Sequence, residues 1–213
     1  MKFALLAVTL TALAGAAQAK MSVPRSTADV MWAISESRDL PAATRRQYAE
    51  AIISESTEHN VDPFTMVSII NHESKFNSQA VGGMDGQCIG FGQTCLHRYE
   101  ECTSTDFEGA ACQERKAKLL NWRFSLSQIA ADISAWRAYC RKTTGQPALF
   151  YRWLSGYAGS TTVKGKKGRP TRTVCGMSRD KKGRWHDAPR ARGVKEIMNY
   201  RLQLIKKLER RRK

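Results

Sequence analysis

Six cysteines stand in this chain of 213 residues: Cys88, Cys95, Cys102, Cys112, Cys140 and Cys175. An even count points to disulfides or to a metal centre, and the compartment decides between them. The first residues give the compartment. Lys2 is a short positive start, Ala4 to Ala16 is an uncharged apolar run, and Ala17-Gln18-Ala19 is a small-residue cleavage pattern. That layout predicts a secretory signal peptide over 1–19, too short to span a bilayer. The mature chain is expected to begin near Lys20 and to be exported, to the periplasm or beyond the cell. Disulfides form there. Zinc fits poorly, because the first three cysteines are seven apart and no C-x-x-C or paired histidine follows. Six cysteines allow 15 pairings, and spacing does not choose among them. One expectation is drawn: a bridge from the 88–112 segment to the helix bearing Cys140, since that segment has few apolar residues to hold itself.

Apolar spacing elsewhere is helical. Val30, Met31 and Ile34 mark a short helix after Ser26/Thr27. Pro41 opens a second, with Tyr48, Ala49, Ile52 and Ile53 on one face, closed by Asn60. Asp62-Pro63 is a restart, an acid at the cap and proline at the first helical position. The helix it opens runs to about Lys75, with Phe64, Met66, Val67, Ile69 and Ile70 apolar. Residues 77–112 hold six glycines and four cysteines and read as loop tied by disulfides rather than by ladders. Helices return at about 114–122 and 125–142, ending at Gly145, and another opens at Pro147. Residues 160–192 read as a long basic loop or a hairpin insert around Asp180–Gly183. A last helix carries Val194, Ile197, Met198, Arg201, Leu202, Ile205 and Leu208 on one stripe. The predicted class is mainly α: a helical domain over 20–160, a basic insert over 161–192, and a helix with a basic tail over 193–213.

Charge is unevenly placed. Residues 20–160 carry fifteen Lys/Arg and fifteen Asp/Glu; residues 161–192 carry eleven and two; residues 193–213 carry eight and two. A neutral body thus precedes a strongly basic quarter. Such a segment either solubilises or seeks an anionic surface, of wall or membrane. Nucleic acid is not expected, because Trp185 is the lone aromatic of 160–192 and no groove-reading motif occurs.

Glu73 breaks the pattern of its own helix. It follows Ile69 by four residues and Ile70 by three, so it lies on or beside the buried stripe. Burial and a helix C-terminus both raise a carboxyl pKa. A carboxyl that keeps its proton near neutral pH is what general acid catalysis needs. The plainer alternative is an acid at a helix edge, paired with a nearby Lys or Arg.

The surrounding residues bear a resemblance. Glu73-Ser74-Lys75-Phe76-Asn77-Ser78-Gln79-Ala80-Val81 resembles the E-S-x-F-N-x-x-A-V signature of the soluble lytic transglycosylases. Gly90-Phe91-Gly92-Gln93 is similar to that family's G-L-M-Q, and Leu154-Ser155-Gly156-Tyr157-Ala158-Gly159 to its A-Y-N-A-G segment. The resemblance covers roughly residues 60 to 160. It implies a lysozyme-like helical fold and cleavage of the β-1,4 bond between N-acetylmuramic acid and N-acetylglucosamine in peptidoglycan glycan strands. It implies a 1,6-anhydromuramoyl product and no metal or organic cofactor. Glu73 would be the single acid/base, Ser74 would orient its carboxyl, and Gln93, Phe91 and Tyr157 would contact substrate. The chain departs from the family in three places: two extra residues around Met84-Asp85-Gly86, an imperfect third motif, and the cysteine-rich middle. Asp85 accordingly carries an alternative. A second carboxylate in that glycine-rich loop would activate water and give lysozyme-type hydrolysis; as a turn residue before Gly86 it would do nothing chemical. A non-catalytic wall- or polyanion-binding protein is the remaining alternative. Trp136, Trp153 and Phe150 sit at core spacing and are expected to pack, and His72 points off the face of Glu73.

Overall fold

The computed structural model describes residues 25–83, 86–102, 107–145, 149–158, 162–164 and 170–213. The expected signal segment, Asp85 and Pro147 lie outside them. Helix α1 (Thr27–Ser35) starts in a full capping box: Ser26 Oγ accepts from the Asp29 N–H at 3.1 Å, and Asp29 accepts from the Ser26 N–H at 3.0 Å. Helix α2 (Ala42–Glu58) follows Pro41 and stops before Asn60, whose φ of 50° a helix cannot continue. Helix α3 (Pro63–Glu73) begins at Asp62-Pro63 as expected, but Asp62 caps nothing. Its carboxylate instead meets Arg201 Nε at 2.8 Å and Arg25 Nε at 3.8 Å. Every residue from Pro63 to Asn71 is buried, because α1, α2 and the C-terminal helix all pack on α3. Only its last turn emerges, and Glu73 is its final residue.

Beyond it, Lys75 and Phe76 turn the chain at φ 52° and 58°, and Phe76 drops into the core. The expectation of loop without ladders is corrected here. Strands β1 (Val81–Gly82), β2 (Cys88–Ile89) and β3 (Thr94–Cys95) form an antiparallel sheet in that order. Cys88 and Cys95 are register partners and are joined by a disulfide. Pairing two-residue strands needs little apolar sequence, which is why periodicity did not reveal it. A 3-10 turn (Leu96–Arg98) leads to a second disulfide, Cys102–Cys112, at the start of α4 (Ala110–Leu120). Ile89, Leu96, Cys102, Cys112 and Leu119 make a small second core under the sheet.

Helix α5 (Trp122–Thr144) is capped by Asn121 Oδ1, which accepts from Arg123 N at 3.0 Å, and it ends on Gly145 at φ 62°. Helix α6 (Phe150–Tyr157) packs on α5. Two hairpins follow, β4 (Thr162–Lys164) with β5 (Pro170–Arg172) and β6 (Met177–Arg179) with β7 (Trp185–Asp187). The second turns at Asp180–Gly183, the hairpin foreseen there. The third disulfide, Cys140–Cys175, ties α5 to the segment before β6. The expected bridge from the 88–112 segment to Cys140 is therefore corrected: that segment closes its two bridges within itself and the first turn of α4.

Helix α7 (Arg192–Arg211) lies along α3 and touches α6. Its buried stripe is Val194, Ile197, Leu204 and Leu208, while Leu202, expected on it, is 48% exposed. Leu204 takes that place, since it is seven residues from Ile197 and four from Leu208. Three basic side chains of α7 and its end are used inside the molecule: Arg201 on Asp62, Lys207 on Glu36, and Arg212 on Asp29 at 2.7 Å. The protein is mainly helical, with three disulfides, and no helix among the described residues is long and apolar enough to cross a membrane.

Candidate active site

The site is built where α3 ends. Ile69 and Ile70 are fully buried, so the next residues down the same face, Glu73 first, stay half-buried as the helix leaves the core. The Glu73 carboxyl makes no hydrogen bond or ion pair among the described residues. Burial pushes its pKa from 4.5 up to about 7, against the opposing charge of Arg98. Charge is disfavoured because the carboxylate loses water without gaining a donor. Glu73 therefore exchanges its proton near neutral pH.

Around it stand groups from four other parts of the chain. Tyr157, the last residue of α6, is buried, and its hydroxyl donates to the Gly92 carbonyl at 3.3 Å. Burial first, then the charges of Glu73 and Asp132, hold the phenol well above its ordinary pKa, so it remains a hydrogen-bond donor. Gly92 is the residue that permits this contact. A Cβ there would lie 2.6 Å from Ile129 Cγ1 and 2.8 Å from Tyr157 Oη, closer than any side chain tolerates. Arg98, closing the 3-10 turn, places Nη1 3.9 Å from Asp132 Oδ2. Asp132, on α5, accepts from Gln128 Nε2 at 2.9 Å, yet burial still raises its pKa. The Tyr99 hydroxyl is buried and lacks a hydrogen-bond partner among the described residues.

The other expected site residues are placed as follows. Ser74 caps α3 and donates its hydroxyl back to the Ile70 carbonyl at 3.2 Å, not to Glu73. Gln93, at φ 46°, spends its amide hydrogens on the carbonyls of Ala80 (3.2 Å) and Gly90 (3.1 Å). It thus fastens the sheet to the turn that carries Gly92. Phe91 is fully buried, edge-on to Tyr48 at 5.1 Å, and its N–H donates to Ser125 Oγ at 3.0 Å. Its ring presents no surface to a ligand, which corrects its reading as a substrate contact: an aromatic flanked by two glycines packs inward because the glycines let the backbone approach α5. Asp85 lies outside the described residues. Trp153 is buried and Trp136 covers Gly156, in keeping with their expected packing.

Arg98, Tyr99 and Asp132 were not singled out from the sequence. For Asp132 a signal existed, the same one that marks Glu73: an acid three residues after Ile129 and next to Ile133 on an apolar stripe. For Arg98 and Tyr99 there was none, since the 3-10 turn has no periodicity.

Elsewhere, His72 turns away from Glu73 to meet Glu196 of α7 at 3.3 Å, and burial lowers its pKa. It lines a polar groove between α3 and α7 of about 320 Å³ with Asn71, Lys75, Asn199 and Gln203. Glu55, Glu58 and His59 bring donor atoms within 4.8 Å of one another at the end of α2, the one such trio among the described residues. No family model, curated protein or solved structure matches this chain.

Proposed function

We propose that this protein is an exported enzyme that cuts the glycan strands of peptidoglycan, with Glu73 as its acid/base and a lysozyme-like helical body around it. The observation that carries this reading is the Glu73 carboxyl: half-buried, without a hydrogen-bond or ion-pair partner among the described residues, and titrating near 7 at the end of a buried helix. It supports the role that the E-S-x-F-N resemblance implies, and the mainly helical body is compatible with the implied fold.

In this reading protonated Glu73 gives its proton to the glycosidic oxygen as the bond to the muramoyl C1 breaks. The resulting carboxylate then takes a proton from the muramoyl 6-hydroxyl, whose oxygen closes on C1. The carboxyl ends protonated again, and the sugar gains an internal anhydro bridge in place of water. One carboxyl suffices, because the substrate supplies the nucleophile. Tyr157, kept neutral, gives its hydroxyl hydrogen to the Gly92 carbonyl and so holds the turn of the small sheet at the site. Wall or membrane anions are the proposed partners of the basic C-terminal quarter.

Glu73→Gln keeps the shape and removes the transferable proton. Turnover of purified peptidoglycan should fall by about 10²–10⁴-fold, the usual worth of a general acid. Mass spectrometry of the parent's digest should show muramoyl ends lighter by one water than hydrolysis gives. Undiminished turnover by the variant removes Glu73 from the chemistry; reducing muramoyl ends make the protein a hydrolase.

A further inference from the structure

We propose that Asp132, acting through Arg98, is a positioning residue that sets how strongly Glu73 holds its proton. The inference rests on the reading of Glu73 as the acid.

Five parts of the chain contribute: contacts join Arg98 to Asp132 and Tyr157 to Gly92, and the charge of Arg98 reaches Glu73. Glu73 ends α3, Gly92 lies in the turn between β2 and β3, Arg98 ends the 3-10 turn, Asp132 is on α5, and Tyr157 ends α6. Asp132 is fixed on one oxygen by Gln128 at 2.9 Å and faces Arg98 Nη1 with the other at 3.9 Å. One turn earlier on α5, Ile129 shares with Tyr157 the space a Gly92 side chain would need. The turn of α5 that bears Asp132 is thus seated against the same glycine as the phenol beside Glu73. Arg98 is the cation whose charge reaches both carboxyls, and both carboxyls in turn act on Tyr157.

Arg98 acts on two half-buried acids and is paired with only one of them, Asp132. Left alone, Arg98 would favour the Glu73 carboxylate and weaken its hold on the proton. Paired with Asp132, its field at Glu73 is partly cancelled, and its long side chain is anchored. Other charges face this group without replacing that pair. His72 and Lys75 flank Glu73 on its own segment, with Arg192 and Glu196 of α7 acting on His72. Glu101 and Arg115 act on Tyr99, on the Asp132 side.

The test is carboxyl-carbon NMR titration of the oxidised chain, following the Glu73 midpoint in the parent and in three variants. Asp132→Asn releases the field of Arg98 and should move the midpoint down; Arg98→Gln removes the cation and should move it up, each by about half a unit or more. Arg98→Lys keeps the charge and should stay near the parent. The alkaline limb of peptidoglycan turnover should follow the midpoint in each variant. A Glu73 midpoint unmoved by Asp132→Asn, or moved the same way by Asp132→Asn and Arg98→Gln, overturns the inference. So does an Asp132→Asn variant that is folded, keeps the Glu73 midpoint and has lost turnover at every pH, since Asp132 would then act directly. If the parent does not cleave wall at all, the proposed function fails, while the midpoints still decide whether the pair tunes Glu73.

Discussion

The Glu73 carboxyl is held at the molecule's expense. Folded, it keeps its proton up to about 7; an ordinary carboxyl lets go at 4.5. Below 4.5 both folded and unfolded forms are protonated and the residue costs nothing. As pH rises from 4.5 to 7 the unfolded chain gains a solvated charge that the folded one resists, so stability falls, and above 7 the full loss remains. The shift corresponds to about 3 kcal/mol. Glu73→Gln should therefore raise the thermal midpoint at pH 8, by an amount that shrinks to nothing towards pH 4.5. A midpoint gain that is the same at both pH values would mean that the carboxyl is not buried as described. Asp62 is the contrasting case: an acid as buried as any among the described residues, but met by Arg25 and Arg201, and so a tie between segments in place of a reactive group.

Among elements, the disulfides divide the work. Cys88–Cys95 spans 7 residues and clamps a pair of strands already in register; Cys140–Cys175 spans 35 and fastens the basic hairpin segment to α5. Loop closure assigns the longer bridge about 4 kcal/mol and the shorter about 2. Replacing Cys140 and Cys175 by serine should accordingly lower the denaturation midpoint more than replacing Cys88 and Cys95. The activity order should be the reverse. The short bridge lies in the sheet whose turn, Gly90 to Gln93, carries the Gly92 carbonyl for Tyr157, whereas the long one lies behind α6. Chemical denaturation and wall turnover on both double variants check this, and equal losses in both measurements would contradict it. Helix α6 links the two regions: Tyr157 at its end meets the site, while Tyr151 and Arg152 near its start meet Asp187 of β7 at 2.9 and 3.3 Å.

Across the whole molecule, the excess positive charge is only partly free. Arg201, Lys207 and Arg212 are spent on Asp62, Glu36 and Asp29, which fasten α7 to the body. Asp180 gathers Arg184 and His186 at 2.9 and 3.0 Å, and Arg179 lies over Trp185. Lys181, Lys182, Lys195 and Lys206 are exposed and suited to an anionic surface. Changing these four to glutamine should weaken adsorption to wall and flatten its salt dependence, because exposed charges act only over roughly 8 Å at physiological salt. The fold should stand, since the buried stripe of α7 and its three ion pairs are untouched. Adsorption like the parent's at low salt would make the basic quarter a solubilising surface.

The order of helices, the capped start at Ser26, the start at Pro63 and the stop at Gly145 were legible in the sequence, because caps and apolar periodicity are local. So was Glu73, an acid beside the buried stripe of its own helix. The sequence also announced disulfides through an even cysteine count, though not their partners. The cysteine pairing was a matter for tertiary structure, as were the small sheet, the exchange of Leu202 for Leu204 on α7, and the inward turn of Phe91. Each depends on which surfaces meet across dozens of residues, and nothing in a short window records that. The site divides in the same way. One acid was marked by its own helix, but Arg98, Asp132 and Tyr157 come from three separate elements, and only the packing of those elements brings them together.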